Sequence, residues 1–187
     1  MAEIKSTLEL VMEKTKHLTL SREEKQAQTR NEARQRIKGL IQKHRDAVLN
    51  NERFAEELES MQETSAVIVN DLLLYELLDG LHPGRDNQVQ LALLNDICGI
   101  DITGLASVCD GYKDEIQSMT QARIQALKNI LAQQHHISGS AVVPNIKTDD
   151  PWHEKLLEIK DNFDQLLSRE KTAIKKNGCA KNIKSGK

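Results

Sequence analysis

Residues 37–75 read IKGLIQKHRDAVLNNERFAEELESMQETSAVIVNDLLLY, and through them a mostly apolar position returns at alternating steps of three and four. One column runs Leu40, Ala47, Phe54, Met61, Ile68, Tyr75; the weaker one runs Ile37, His44, Asn51, Leu58, Ser65, Leu72. A seven-residue repeat keeps one stripe of a helix turned toward a partner, as in a coiled coil or a long bundle helix. The expected fold class is therefore all-α: long amphipathic helices forming a helical bundle or coiled-coil hairpin, with a C-terminal helix after a linker. The expected interaction seam comprises Ile37, Leu40, His44, Asn51, Phe54, Leu58, Met61, Ile68, Leu72 and Tyr75, and through it the chain is expected to pair with itself or another helical protein. Asn51 sits at an inward position, where a buried Asn costs stability but fixes register. It either selects a pairing or marks a wet end of the stripe.

Upstream of this stretch, Ser21-Arg22-Glu23-Glu24 spells a capping box, in which hydroxyl and carboxylate each satisfy the other's backbone amide, and it opens the long helix. Between Arg22 and Arg36 only Ala27 and Ala33 are hydrophobic, so that part has little to bury. Gly39 costs only about 1 kcal/mol in a helix and does not end it. Asn50-Asn51 is the natural break if residues 22–79 form two helices rather than one. Residues 1–20 repeat Ile4, Leu8, Val11, Thr15 and Leu18, which predicts an amphipathic helix over 3–16 and a connector.

Downstream, Asp79-Gly80-Leu81-His82-Pro83-Gly84 is a firm helix stop. A shorter helix capped by Asp86 follows, then a turn at Cys98-Gly99-Ile100-Asp101, then a helix from Leu105 to about His135 with an interruption conceivable at Gly111. The densest core is expected between Val67 and Val108. The domain reading is thus an arm and leucine-rich core over 21–137, a linker over 138–149, an amphipathic helix over 150–177 and a basic disordered tail over 178–187. Asp150-Pro151 opens the last helix, whose stripe reads Trp152, Leu156, Ile159, Phe163, Leu166, Glu170, Ala173.

The opening Glu3-Ile4-Lys5-Ser6-Thr7-Leu8 and the linker Ile137-Ser138-Gly139-Ser140-Ala141-Val142-Val143-Pro144-Asn145 resemble a bacterial family of all-helical proteins with no assigned activity. The resemblance implies helices and assigns no residue a role.

Composition narrows the function classes. Aromatic residues make up only 3% of the chain and charged residues 29%, which favours helices packed through Leu, Ile and Ala. The net charge is −2, but six lysines and no acid lie from Lys171 onward, leaving an acidic body. No basic-then-apolar leader opens the sequence. The most apolar run, Ala66 to Leu78, is too short and too charged to cross a bilayer, which takes about 20 apolar residues. Cys98, Cys109 and Cys179 are few and odd in number, which suits a reducing cytoplasm.

Candidate chemistry is sparse. Arg30, Arg34 and Lys38 step by four into a positive ridge that could follow phosphates, which makes a nucleic-acid-associated factor the first alternative to an interaction or scaffold protein. An enzyme whose site is not readable from sequence is the second. His135 and His136 point about 100° apart on a helix, and with His153 they make no set of zinc ligands. Cys98 has no basic neighbour and Cys109 only Lys113, so both read as small buried fillers. The sequence calls for no cofactor and no metal.

Overall fold

Residues 22–79, read above as one helix or two, form three. The computed structural model describes residues 21–65 and 67–177. Its helices are α1 (Arg22–Arg45), α2 (Asn51–Thr64), α3 (Val69–Asp79), α4 (Gln88–Asp96), α5 (Thr103–His135) and α6 (Asp150–Asn177), with a 3-10 turn at Ile146–Thr148 before the last. The protein is all-α, and no strand occurs among the described residues. The helix expected over 3–16 and the tail from 178 lie outside them.

Each break has a local cause. The capping box forms as read: Glu24 N donates to Ser21 Oγ at 3.1 Å and Ser21 N to Glu24 Oε2 at 2.7 Å. α1 closes where Ala47 turns left-handed (φ 56°), with the Val48 amide reaching back to the Lys43 carbonyl at 2.9 Å. Asn50 then restarts the helix, its Oδ1 accepting from Arg53 N at 2.9 Å. The second break, at Ser65–Ile68, carries no capping side chain at Ile68. The amide of Gln62 supplies it instead: Oε1 accepts from Val69 N at 2.8 Å, and Nε2 donates to the Val67 carbonyl at 3.3 Å. An orphan amide at the start of α3 is thereby satisfied from the preceding helix.

These two bends dispose of the seam. Ile37, Leu40, Phe54, Leu58, Met61 and Leu72 are all buried, but against one another and the leucines of α3 and α4. A seven-residue stripe stays on one side only while the helix is continuous, and each bend rotates it. Ala47 falls in the turn, Asn51 is exposed and His44 half-buried, and on α3 the inward side passes to Val69, Leu73 and Leu77, leaving Ile68 62% exposed and Tyr75 40% exposed. The buried members of the stripe thus pack into the chain's own core.

The rest of the head follows from the leucine-rich block. Leu73, Leu77, Leu78, Leu81, Leu93, Leu94 and Leu105 are sealed, and Cys98 and Cys109 lie among them. Asp86 Oδ1 accepts from Gln88 N at 3.0 Å at the start of α4, and Gly99 takes the left-handed turn (φ 61°) that leads toward α5.

α5 runs unbroken through Gly111, where the missing Cβ leaves room for Phe163; a Cβ there would sit 3.4 Å from the ring. Gly104 lies against Glu170 and Arg123 against Asp149, so α6 returns antiparallel to α5. Their bases join the head through Leu105, Cys109 and Leu167, and Lys171 Nζ donates to the Leu81 carbonyl at 2.8 Å while Lys175 Nζ reaches Asp79 Oδ1 at 3.0 Å. The stripe of α6 departs from its reading after Phe163: a step of four buries Leu167 (2% exposed) and leaves Leu166 42% exposed, with Ala173 outside and Ile174 packed on the core. Past Cys109 no residue of α5 is buried. From Tyr112 to its end the helix therefore extends about 35 Å at 1.5 Å per residue as the outer rod of an arm.

Candidate functional site

The basic ridge of α1 faces α3. Glu76 projects from the leucine-rich helix with its side chain only 6% exposed, and an isolated buried carboxylate is costly unless paired. Arg34 Nε donates to its Oε1, and Lys38 Nζ lies 3.5 Å from its Oε2; Arg34 also approaches Asp79 at 3.8 Å. Two of the three ridge cations thus neutralise carboxylates of the same chain, while Arg30 remains on the exposed outer turn. The ridge predicted to follow phosphates is not brought together as a free positive surface.

Around these pairs lies a cleft of about 750 Å³ between α1, α3 and α4, with Arg45, Arg85 and Gln90 also on its walls. Such a volume is ample for a small ligand. On its walls Arg34 and Lys38 are paired with Glu76 and Asp79, Arg45 and Arg85 make no ion pair among the described residues, and no hydroxyl, thiol or imidazole is among the lining residues. Gln90 is buried with Oε1 lacking a hydrogen-bond partner among the described residues, but that oxygen is sealed from the cleft rather than offered to it.

The inward polar residues of the supposed seam meet within one chain. Asn51 Nδ2 donates to Asp96 Oδ2 at 3.1 Å, which orients its Oδ1 toward His44 Nε2 at 2.8 Å. A carboxylate only accepts, so the amide faces it with NH2, and His44 must carry its proton on Nε2. The other ring nitrogen, Nδ1, is buried and lacks a partner among the described residues. The ring packs edge-on against Phe54, with centroids 5.5 Å apart. Asp96–Asn51–His44 has the outline of a proton relay, yet the nitrogen that would act as base is closed to substrate. Asn51 ties the α1–α2 turn to α4.

The remaining candidates are dispersed. Asn87 Nδ2 lies 3.3 Å from Cys109 Sγ, and burial pushes that thiol pKa up, away from the thiolate a nucleophile needs. His135 is exposed, His136 ends α5 in a left-handed turn, and His153 Nδ1 lies 3.1 Å from the Asp149 carbonyl. Among the described residues no group of three or more His, Cys, Asp or Glu is placed to hold a metal ion.

What sequence reading did not single out is the arm. Arg123 Nε and Nη2 hold the two oxygens of Asp149 at 2.5 and 2.7 Å, a bidentate pair that keeps the Asp149 carboxyl below the usual aspartate range. Arg123 ties α5 to the start of α6 there, with about three turns of α5 still to run, and segment 138–149 joins the two helices. Ile124, Leu127, Leu131, Val142 and Ile146 are only half-buried, and Ile130, Ile137 and Val143 are exposed. The signal was present in the sequence: the 23 residues from Ile124 to Ile146 hold one charged side chain, Lys128, in a chain that is 29% charged.

The described residues define an all-helical protein with a leucine-packed head and an arm of two antiparallel helices. No protein-family model, curated protein or solved structure matches the chain. No described helix is long and apolar enough to cross a membrane.

Proposed function

We propose that the chain is a non-enzymatic helical interaction or scaffold protein of the cytoplasm that associates with copies of itself. The observation that supports this most is the set of large apolar side chains left in water: Val48, Ile68 and Tyr75 on the head, and Ile130, Ile137, Val143, Leu157 and Leu166 on the arm. Exposed apolar side chains that lie together mark an interaction surface. The non-enzymatic reading draws on the pairing of Arg34 and Lys38 with Glu76 in the cleft, on its lack of a hydroxyl, thiol or imidazole, and on the closed His44 nitrogen. A cytoplasmic setting accords with the few, odd-numbered cysteines. Light scattering on the purified chain at micromolar concentration tests the reading: it expects a mass at least twice 21.1 kDa, and a monomer overturns it. Binding to mixed RNA and DNA tests the rival, which requires a steep salt dependence lost when Arg30 is replaced.

A further inference from the structure

Charge in the cleft between α1, α3 and α4 is only partly matched. Glu76 takes Arg34 and Lys38, Asp79 takes Lys175 at 3.0 Å, and Asp86 Oδ1 accepts from Gln88 N. Arg45, at the end of α1, and Arg85, in the loop before α4, have no carboxylate partner among the described residues. Five cations, Lys175 included, thus stand against three carboxylates, in a chain whose net charge is −2. A local excess of that sign on concave walls draws an anion.

Backbone donors open at the same place. Asn87 gives α4 no side-chain cap. Asp86 satisfies the Gln88 amide, but the amides of Val89 and Gln90, which line the cleft, make no hydrogen bond among the described residues. Free amides and the positive end of the helix dipole favour an anion. Water alone could meet a helix start; the Gln90 side chain is what calls for a ligand. It is 6% exposed, yet neither polar atom of its amide has a partner among the described residues. Oε1 is sealed, whereas Nε2 lies beside Gly80 on the α3 wall, where a Cβ would sit 3.7 Å from it. A buried donor left unmatched costs stability unless something in the cleft accepts from it.

We infer that the cleft binds a small phosphate monoester, its phosphate held by Arg45, Arg85, the Gln90 side chain and the start of α4. Every unpaired group that reaches the cleft is a donor, which suits a head carrying only acceptors. Two guanidinium forks, two amides and a carboxamide offer more N–H groups than a carboxylate can accept, and the excess of two charges matches a phosphate dianion. Ile41, Leu77 and Val89 beside them suit an apolar body, and about 750 Å³ is the size of a small-molecule site. Binding here is independent of whether the chain self-associates.

Isothermal titration calorimetry on the full chain at fixed ionic strength tests this, with phenyl phosphate, inorganic phosphate and benzoate as probes. Phenyl phosphate should saturate a single site per chain. Inorganic phosphate, which lacks the apolar body, and benzoate, which lacks the second charge, should each bind more weakly on the order of 10-fold. Arg45→Gln combined with Arg85→Gln, both at exposed positions, should weaken phenyl phosphate roughly 100-fold, with far-UV circular dichroism confirming the helices. Gln90→Leu should weaken it on the order of 10-fold while raising the urea midpoint of the free chain, because an unmatched amide gives way to an apolar side chain. Arg53→Gln, at an exposed position on α2 outside the cleft, should leave binding unchanged. The site is overturned if phenyl phosphate fails to saturate at millimolar concentration, or if its binding survives the double variant or Gln90→Leu. An equal loss with Arg53→Gln overturns it too, since that reports overall charge alone. Benzoate bound as tightly as phenyl phosphate overturns phosphate as the head group.

Discussion

α3 and α5 are both helices of one small protein, yet α3 buries seven of its 11 residues and α5 two of its 33. The shorter helix is held by its neighbours. The longer one has the head only at its base, and beyond that has α6 and a returning segment for company. Helices gain most of their stability from packing an apolar side rather than from intrinsic propensity. The head and the distal arm should therefore differ in stability by more than their similar helix content suggests. The buried side chains say the same: one continuous core runs from Ala33 to Leu167, whereas Trp152 and Ile159 are buried outside it.

This contrast is open to measurement because the chain has a single tryptophan, Trp152, and it lies in the arm. Its emission follows the arm, while far-UV circular dichroism follows every helix. The largest expected effect is in the head. Phe54→Ala removes a side chain that is fully buried and that packs on His44, and should cost about 3–5 kcal/mol. In urea, its dichroism and emission transitions should both move down. Ile159→Ala is expected to cost about 2–4 kcal/mol, felt in the arm. Its emission transition should move to lower urea with the main dichroism transition in place. Coincident transitions in both variants would show that arm and head unfold as one unit, and would erase the distinction.

The same contrast governs what the sequence disclosed. Where structure is set by neighbouring residues, it was legible: the Ser21–Glu24 box, the Asn50 restart, the stop after Asp79 and the start at Asp150 all stand where local chemistry put them. Where a bond crosses between elements, it was not. Gln62 has no reason, read alone, to cap a helix seven residues on, and nothing around Glu76 announces that Arg34 and Lys38 will cover it. The seam is a related case. Periodicity reports that a stripe is buried but not by what, and two breaks were enough to fold the stripe upon itself. The choice between Leu166 and Leu167 on α6 is a smaller case, since both satisfy the helical spacing and only the approach of the head decides. The bare stretch from Ile124 to Ile146 was readable by counting charges, a signal that a search for apolar periodicity passes over.

Acid should separate the two regions next. Asp149 carries a depressed pKa because Arg123 donates to both its oxygens. A carboxyl whose pKa is lower folded than unfolded adds stability above its ordinary range, near pH 4, and loses it as pH falls through the depressed value. Below about pH 4, therefore, the arm's return should loosen and Trp152, three residues on, should shift its emission to the red. Asp149→Asn should remove that step from the emission profile while leaving the helical signal near neutral pH intact. An unchanged profile would mean that another carboxyl controls the arm.

The smallest expected effects bear on the two described residues other than glycine that hold left-handed backbone, Ala47 (φ 56°) in the head and His136 (φ 54°) at the end of α5. A side chain with a Cβ pays about 1–2 kcal/mol there, and glycine avoids this at some cost in unfolded-state entropy. The net gain should be roughly 0.5–1 kcal/mol at each site. Ala47→Gly should raise the dichroism midpoint in urea, because the turn it relieves joins two helices of the central core. His136→Gly should raise only the emission midpoint, because α5 ends there in the arm. Equal shifts of both probes in both variants would contradict the separation as firmly as any larger perturbation, and with less disturbance to the fold that is being probed.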